Sequence, residues 1–164
     1  MNFGELFKQS KGQPIVHAGK TVVMLDRVPA KRGEQFRVTI ERTSSRYPQG
    51  VGISDGVEVF GETHRRAVVW EYFSLPPERR GDERSSLPFS FDITCRNSSG
   101  SLAFYNMTEF RGRQEWWHGG SCMTVEMTPD IRRYHCNDFE LDDDFDDLVF
   151  SVKRLLPNPS LERP

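Results

Sequence analysis

The stretch "FRVTIERTS", residues 36–44, opens on unbroken alternation: Phe36, Val38 and Ile40 on one side, Arg37, Thr39 and Glu41 on the other. "FSFDITC" (89–95) repeats it with Phe89, Phe91, Ile93 and Cys95. A period of two belongs to a strand with one buried face, because successive Cβ atoms leave a pleated ribbon on opposite sides. Between such stretches, Gly, Pro, Ser and Asp cluster about every 8–12 residues, the rhythm of short antiparallel strands joined by turns. Strands are predicted at 20–28, 36–44, 57–62, 65–75, 87–97, 101–110, 121–127 and 148–154. The stretch 65–75 is apolar on both faces, which predicts a central strand. "SSRYPQGVGISDG" (44–56) reads as a long loop, and "PPERRGDERSS" (76–86) as a polar hinge. A helix is expected only at Phe3–Gln9, where Asn2 and Glu5 have capping-box spacing, and it is too short to persist unless docked.

This pattern predicts an all-β fold, an antiparallel β-sandwich of jelly-roll type. At 164 residues the chain can bury one sizeable core, so one domain is expected over 1–156. The tail 157–164 carries Pro157, Pro159 and Pro164 with little to bury and is expected to be disordered. No apolar run approaches the ~20 residues of a membrane span. The first residues lack the apolar core of a secretory signal, so a cytoplasmic chain is expected, with non-classical export as the alternative. Cys95, Cys122 and Cys136 form an odd set without a CxxC, which suits buried thiols in a reducing compartment. In an exported chain, one disulfide and one free thiol is the other arrangement.

The charge is unevenly spread. The net value is −2, yet seven of the 24 acidic residues fall within 138–147, leaving 17 against 22 Lys and Arg elsewhere. Asp138, Glu140, Asp142, Asp143, Asp144, Asp146 and Asp147 are interleaved with Phe139, Leu141 and Phe145, and a strand follows at once. A loop pinned by aromatic side chains holds its carboxylates together, which raises their pKa values unless a cation joins them. Three readings compete: a solvated surface loop, a calcium site, and an acidic surface that docks a basic partner. For calcium, Asn137, Asp138, Asp142, Asp144, Asp146 and Asp147 would supply hard oxygen ligands. The loop is not an EF-hand, because Asp147 stands where glycine is needed, Lys153 replaces the closing glutamate, and a strand follows rather than a helix.

The ending "CNDFELDDDFDDLVFSVK" resembles the calcium loop and last strand of bacterial galactose-binding lectins of the PA-IL type, which are small calcium-dependent β-sandwiches. Asn137-Asp138, then the carbonyl of Asp142, then Asp146-Asp147 fall in the family's ligand order, and Tyr47 in "SSRYPQG" matches a ligating tyrosine carbonyl. "VVMLDRVPAKRGEQFRVTI" is similar to the family's opening hairpin. The adjacent pair here is Asp-Asp rather than two amides and stands one residue further along. The middle of the chain is longer, with no counterpart of the sugar-contacting histidine. The resemblance covers the first third and last fifth of the chain. It implies a galactose-binding-like sandwich, Ca²⁺ as cofactor, a carbohydrate ligand and a possible homo-oligomer.

"EWWHGG" (115–120) is a second ligand-binding candidate. Trp116 and Trp117 are adjacent, so a strand would aim them to opposite faces, and an exposed one beside His118 would suit a sugar ring or a partner. The alternative is a core Trp and a turn. Zinc is not expected, since His118, Cys122, His135 and Cys136 do not converge by spacing. No GxSxG, HExxH or P-loop is present, and a glycosidase carboxylate pair cannot be placed, so no catalytic residue is assigned and an enzyme is not expected. Scattered arginines without interleaved aromatics do not suit nucleic acid. The acidic loop, together with the lectin-like ending, implies non-catalytic binding of a carbohydrate or protein ligand beside a calcium ion. The alternative is a cytoplasmic interaction module, such as an immunity protein, that docks its acidic loop on a basic partner.

Overall fold

A computed structural model describes residues 1–116 and 119–156 of the chain. Helix α1 (Phe3–Gln9) is followed by β1 (Ile15–His17), β2 (Lys20–Val23), β3 (Asp26–Pro29), β4 (Gln35–Thr43), β5 (Gln49–Val59) and β6 (Glu62–Trp70). Two 3-10 turns (Glu71–Ser74, Pro77–Arg79) lead to β7 (Phe89–Cys95), β8 (Ser101–Phe110), β9 (Arg113–Glu115), β10 (Cys122–Met127), β11 (Ile131–Asn137) and β12 (Leu148–Arg154). The fold is all-β and antiparallel, a sandwich made by curling one continuous sheet. Its strands run in the order β1-β2-β10-β11-β12-β4-β7-β5-β8-β3, with β6 on the free flank of β5 and β9 beside β8.

The curl is made by β5. Its first half, Gln49–Ser54, pairs with β8, and its second half, Val57–Val59, pairs with β7 on the same flank, the register shifting between Ser54 and Val57. An irregularity of this kind bends a strand and increases its twist. One strand therefore belongs to both layers. The layers enclose one apolar core that includes Phe36, Val38 and Ile40 of β4, Val51 and Ile53 of β5, Ile93, Phe104, Tyr134, Leu148, Phe150 and Val152. In β12, Leu148 and Phe150 are fully buried and Val152 nearly so. The Tyr134 and Phe150 rings stack at 4.6 Å. The edge strand β3 is tied to the interior strand β11 through Asp26, whose Oδ2 accepts from Tyr134 Oη (2.7 Å) and from Arg132 Nη1 (2.8 Å). Burial, with Asp26 beside it, drives the Tyr134 phenol far above its ordinary pKa, so it stays a donor.

The expected helix forms where its capping residues stand. Asn2 Oδ1 accepts from Glu5 N–H, and Phe3 and Phe7 dock it in a second small cluster with Val22 and Cys122. Two expectations are corrected. Residues 49–56 are not loop but the first part of β5, and the loop before it is only 44–48. Gly50 and Gly52 make this part look like a turn, yet they serve close packing. A Cβ on Gly50 would sit 2.8 Å from the Trp70 ring, and one on Gly52 would sit 2.1 Å from the Tyr105 ring. Glycine in a strand marks such close approach. Secondly, among the described residues β6 pairs with β5 alone, so it is no central strand. Its outward residues are apolar because Trp70 and Val68 pack into a separate aromatic cluster with Tyr105, Met107 and Trp116.

Cys95, Cys122 and Cys136 are buried free thiols. Burial raises the pKa of Cys122 and of Cys136, so both are protonated, apolar core atoms. No helix among the described residues is long and apolar enough to cross a membrane. The tail 157–164, and Trp117 and His118 of the second ligand candidate, lie outside the described residues.

Candidate metal centre

The acidic loop joins β11 to β12, and distant parts of the chain hold it in place. Behind it, Asn106 Nδ2 donates to the Asn137 carbonyl (2.7 Å), and Asn137 Oδ1 accepts from the Phe145 N–H across the loop. From the end of β4, Ser44 Oγ donates to the Asp146 carbonyl (2.9 Å) and Ser45 Oγ to Asp138 Oδ2 (2.6 Å). Phe145 packs beside Phe3 of α1, and Phe139 lies between Tyr47 and Phe110. The pinning expected from the interleaved aromatics is thus present.

The third support is the glycine pair. Gly120 N–H donates to the Phe139 carbonyl (2.8 Å). A Cβ on Gly119 would lie 2.4 Å from that same oxygen, and one on Gly120 would lie 1.8 Å from the Glu140 carbonyl oxygen. Both contacts are with backbone, which cannot swing aside, so only glycine fits. The Gly119-Gly120 pair therefore seats the acidic loop. The signal was in the sequence as a paired glycine, but nothing there said which segment it faced.

Held in this way, the carboxylates converge. Asp138, Asp142 and Asp147 each offer an oxygen within 4.8 Å of the others, and so do Asp144, Asp146 and Asp147. Asp147 belongs to both groups. Asp138 and Asp147 are almost fully buried, whereas Asp142 and Asp144 lie at the exposed lip. Asp147 Oδ2 accepts from the Asp138 N–H (2.8 Å) and Asp138 Oδ1 from the Glu140 N–H (2.8 Å), which fixes both side chains. Asp146 Oδ1 is buried with no hydrogen-bond partner among the described residues. Among the described residues, no Lys, Arg or His ion-pairs with Asp138, Asp142, Asp144, Asp146 or Asp147, whereas Arg46 takes Glu140 and His17 approaches Asp143 at 3.7 Å.

The electrostatic consequence is visible in the protonation equilibria. Burial, reinforced by Asp138, Asp142 and Asp144, pushes the Asp147 carboxyl up to about 7. Burial and the shared hydrogen bond with Asp146 push Asp144 up to about 6, and burial with the neighbouring Asp138 charge raises Asp142. Opposed carboxylates without a cation keep a proton between them. Asp138, Asp142 and Asp147 could hold a metal ion. Two oxygens each about 2.4 Å from one calcium ion lie at most ~4.8 Å apart, so the spacing suits a shared hard cation. The donor set is all oxygen, which disfavours zinc.

Two of the expected ligands also make hydrogen bonds of their own. Asn137 is at the base of the loop, but its amide oxygen takes the Phe145 N–H and its amide nitrogen faces Cys122 Sγ at 3.8 Å. The Tyr47 carbonyl accepts from Arg84 Nη2 (2.8 Å) and Gln49 Nε2 (3.2 Å). Tyr47 instead meets the loop through its ring on Phe139 and its hydroxyl, 3.3 Å from Glu140 Oε1. Arg84 itself is latched to the fully buried Glu71 by Nε (2.6 Å) and Nη2 (3.2 Å). Trp116 is far along the sequence from these carboxylates and packs on Tyr105 at 4.8 Å, in the separate outer cluster.

No family model matches this chain and no curated protein matches it. Solved structures do show likeness. The Chromobacterium violaceum lectin CV2L, in complex with alpha-methyl-fucoside, is 17% identical with a TM-score of 0.42, over 81% of this chain and 96% of the lectin. A high-affinity mannose-binding lectin of Ralstonia solanacearum is 12% identical with a TM-score of 0.40, over the same shares of each chain.

Proposed function

We propose that the chain is a non-catalytic binding protein whose 138–147 loop holds Ca²⁺ and uses it to engage a carbohydrate. The observation that carries this reading is the convergence of Asp138, Asp142 and Asp147 oxygens within 4.8 Å, with no ion-paired cation among the described residues. Leaving these charges unpaired and partly buried is costly, and a divalent ion removes the cost. Calcium suits the site better than magnesium, because it accepts six to eight oxygens in flexible geometry, whereas magnesium demands a near-ideal octahedron. The exposed lip at Asp142 and Asp144 would leave coordination positions to solvent, which a pair of sugar hydroxyls can take. The similarity of "CNDFELDDDFDDLVFSVK" to a PA-IL-type loop supports the same ligand class.

The docking alternative fits the geometry less well. Asp138 and Asp147 are 1% and 4% exposed, so neither can reach a basic partner, and a docking surface gains nothing from carboxylates turned inward. Binding to a glycan array, run once with calcium and once with chelator, tests the proposal. Signal present only with calcium and lost in the Asp142→Asn, Asp147→Asn double variant supports it. An array blank in both conditions, or binding indifferent to chelator and to the double variant, refutes it.

A further inference from the structure

The outer face of the layer formed by β6, β5, β8 and β3 carries a cleft of about 620 Å³, remote in sequence from the acidic loop. Its shape follows from the register. Ser54 of β5 lies opposite Arg66 of β6 on one side and Ala103 of β8 on the other, and Ala103 lies opposite Arg27 of β3. One row across four strands therefore reads Arg66, Ser54, Ala103, Arg27: small residues in the middle and a guanidinium at each end. Three interstrand spacings set the backbones of the two arginines about 14 Å apart.

The neighbouring row provides the floor. Gly52 lets the Tyr105 ring lie directly on β5, Gly50 does the same for Trp70, and Trp116 leans on Tyr105 with centroids 4.8 Å apart. Around these rings, Arg27, Arg66, Asp55 and Gln114 line the cleft. None of these four side chains has a hydrogen-bond or ion-pair partner among the described residues, and together they carry a charge of +1. Aromatic faces bind the apolar face of a sugar ring, while planar side chains with unspent donors and acceptors take its hydroxyls. Two guanidiniums at the ends of the trough add forks that match carboxylates.

We infer that this cleft is a metal-independent site for an acidic oligosaccharide, a sugar ring on the half-buried Trp116, which the buried Tyr105 backs, and its carboxylates on Arg27 and Arg66. The inference does not rest on calcium at the acidic loop, and the test keeps the two apart. Oligomers of hexuronic acid and neutral oligomers of equal length are titrated into the full chain in chelator, with binding followed by backbone amide NMR shifts. The expected result is saturable shifts on β3, β6 and β8 with the acidic oligomer, little change at 138–147, and at least tenfold weaker binding in Arg27→Ala with Arg66→Ala. Both arginines are exposed and have no hydrogen-bond or ion-pair partner among the described residues, so that double variant keeps its fold. Trp116→Phe, which keeps an aromatic face, should retain part of the affinity that Trp116→Ala loses. No saturable shift, equal binding of the neutral oligomer, shifts confined to 138–147, or unchanged affinity in the double variant would each overturn the inference.

Discussion

Replacing Asp147 by Asn should stabilise the metal-free protein at neutral pH while abolishing its response to calcium. Asp147 is 4% exposed, and burial with three neighbouring carboxylates lifts its pKa from 3.8 to about 7. A carboxyl whose folded pKa is raised binds its proton more tightly when folded. Its stabilising effect is thus full below about 4 and lost as pH rises through about 7. At about 1.36 kcal/mol per pH unit, the loss by pH 8 is at most ~4 kcal/mol. Asparagine keeps an oxygen for the Asp138 N–H, now at 2.8 Å, and carries no charge. In chelator at pH 8 the variant should therefore gain about 2–4 kcal/mol, or roughly 5–15 °C in Tm for a domain of this size. At pH 4 the two proteins should melt together. Millimolar calcium should raise only the wild type, since an ion at 100 times its Kd adds about 2.7 kcal/mol. Calorimetry from pH 4 to 8, with chelator and with calcium, measures all of this. An Asp147→Asn protein no more stable than wild type at pH 8 in chelator would refute the reasoning, because the carboxylate would then already have a partner.

Phe150→Ala should cost about 3–5 kcal/mol, since the ring is fully buried and stacked on Tyr134; a loss below about 1 kcal/mol in urea unfolding would contradict the packing described. Arg84→Ala should cost about 3 kcal/mol by leaving Glu71 charged and buried, with only the Gln49 N–H and Thr43 hydroxyl among the described residues still beside it. Adding Glu71→Gln should recover most of that loss in the same assay, and an additive double variant would rule out the coupling.

How far the sequence can be read depends on where each residue's partner lies. Alternation in β4 and β7 was legible because one face of each meets the core and nothing else intrudes. The first half of β5 was not, because Gly50 and Gly52 signal a turn by type and reveal their purpose only when Trp70 and Tyr105 are seen lying on them. β6 misled for a related reason: its outward side chains are covered by an aromatic cluster rather than by neighbouring strands. In the acidic loop, the crowding of carboxylates and their anchoring by Phe139 and Phe145 could be inferred from composition alone. Which oxygens meet could not, since that depends on Ser45, roughly 90 residues earlier, and on the glycine pair at 119–120. The same limit explains Asn137 and Tyr47. Their oxygens take hydrogen bonds that hold loops, and residue type alone does not reveal those partners.

The pairing of β4 with β12 sets Ile40 beside Phe150, and it bears on how the protein is made. On the ribosome β4 emerges roughly 110 residues before its partner, an interval of about 5–20 s at ~5–20 residues per second. Through that interval β4 can find β7 on one flank, while the other presents unpaired backbone and the apolar side chains of its inner face. An open edge of this kind templates association between chains. Synthesis speed and chaperone supply, more than the stability of the finished fold, should therefore govern how much soluble protein a cell recovers.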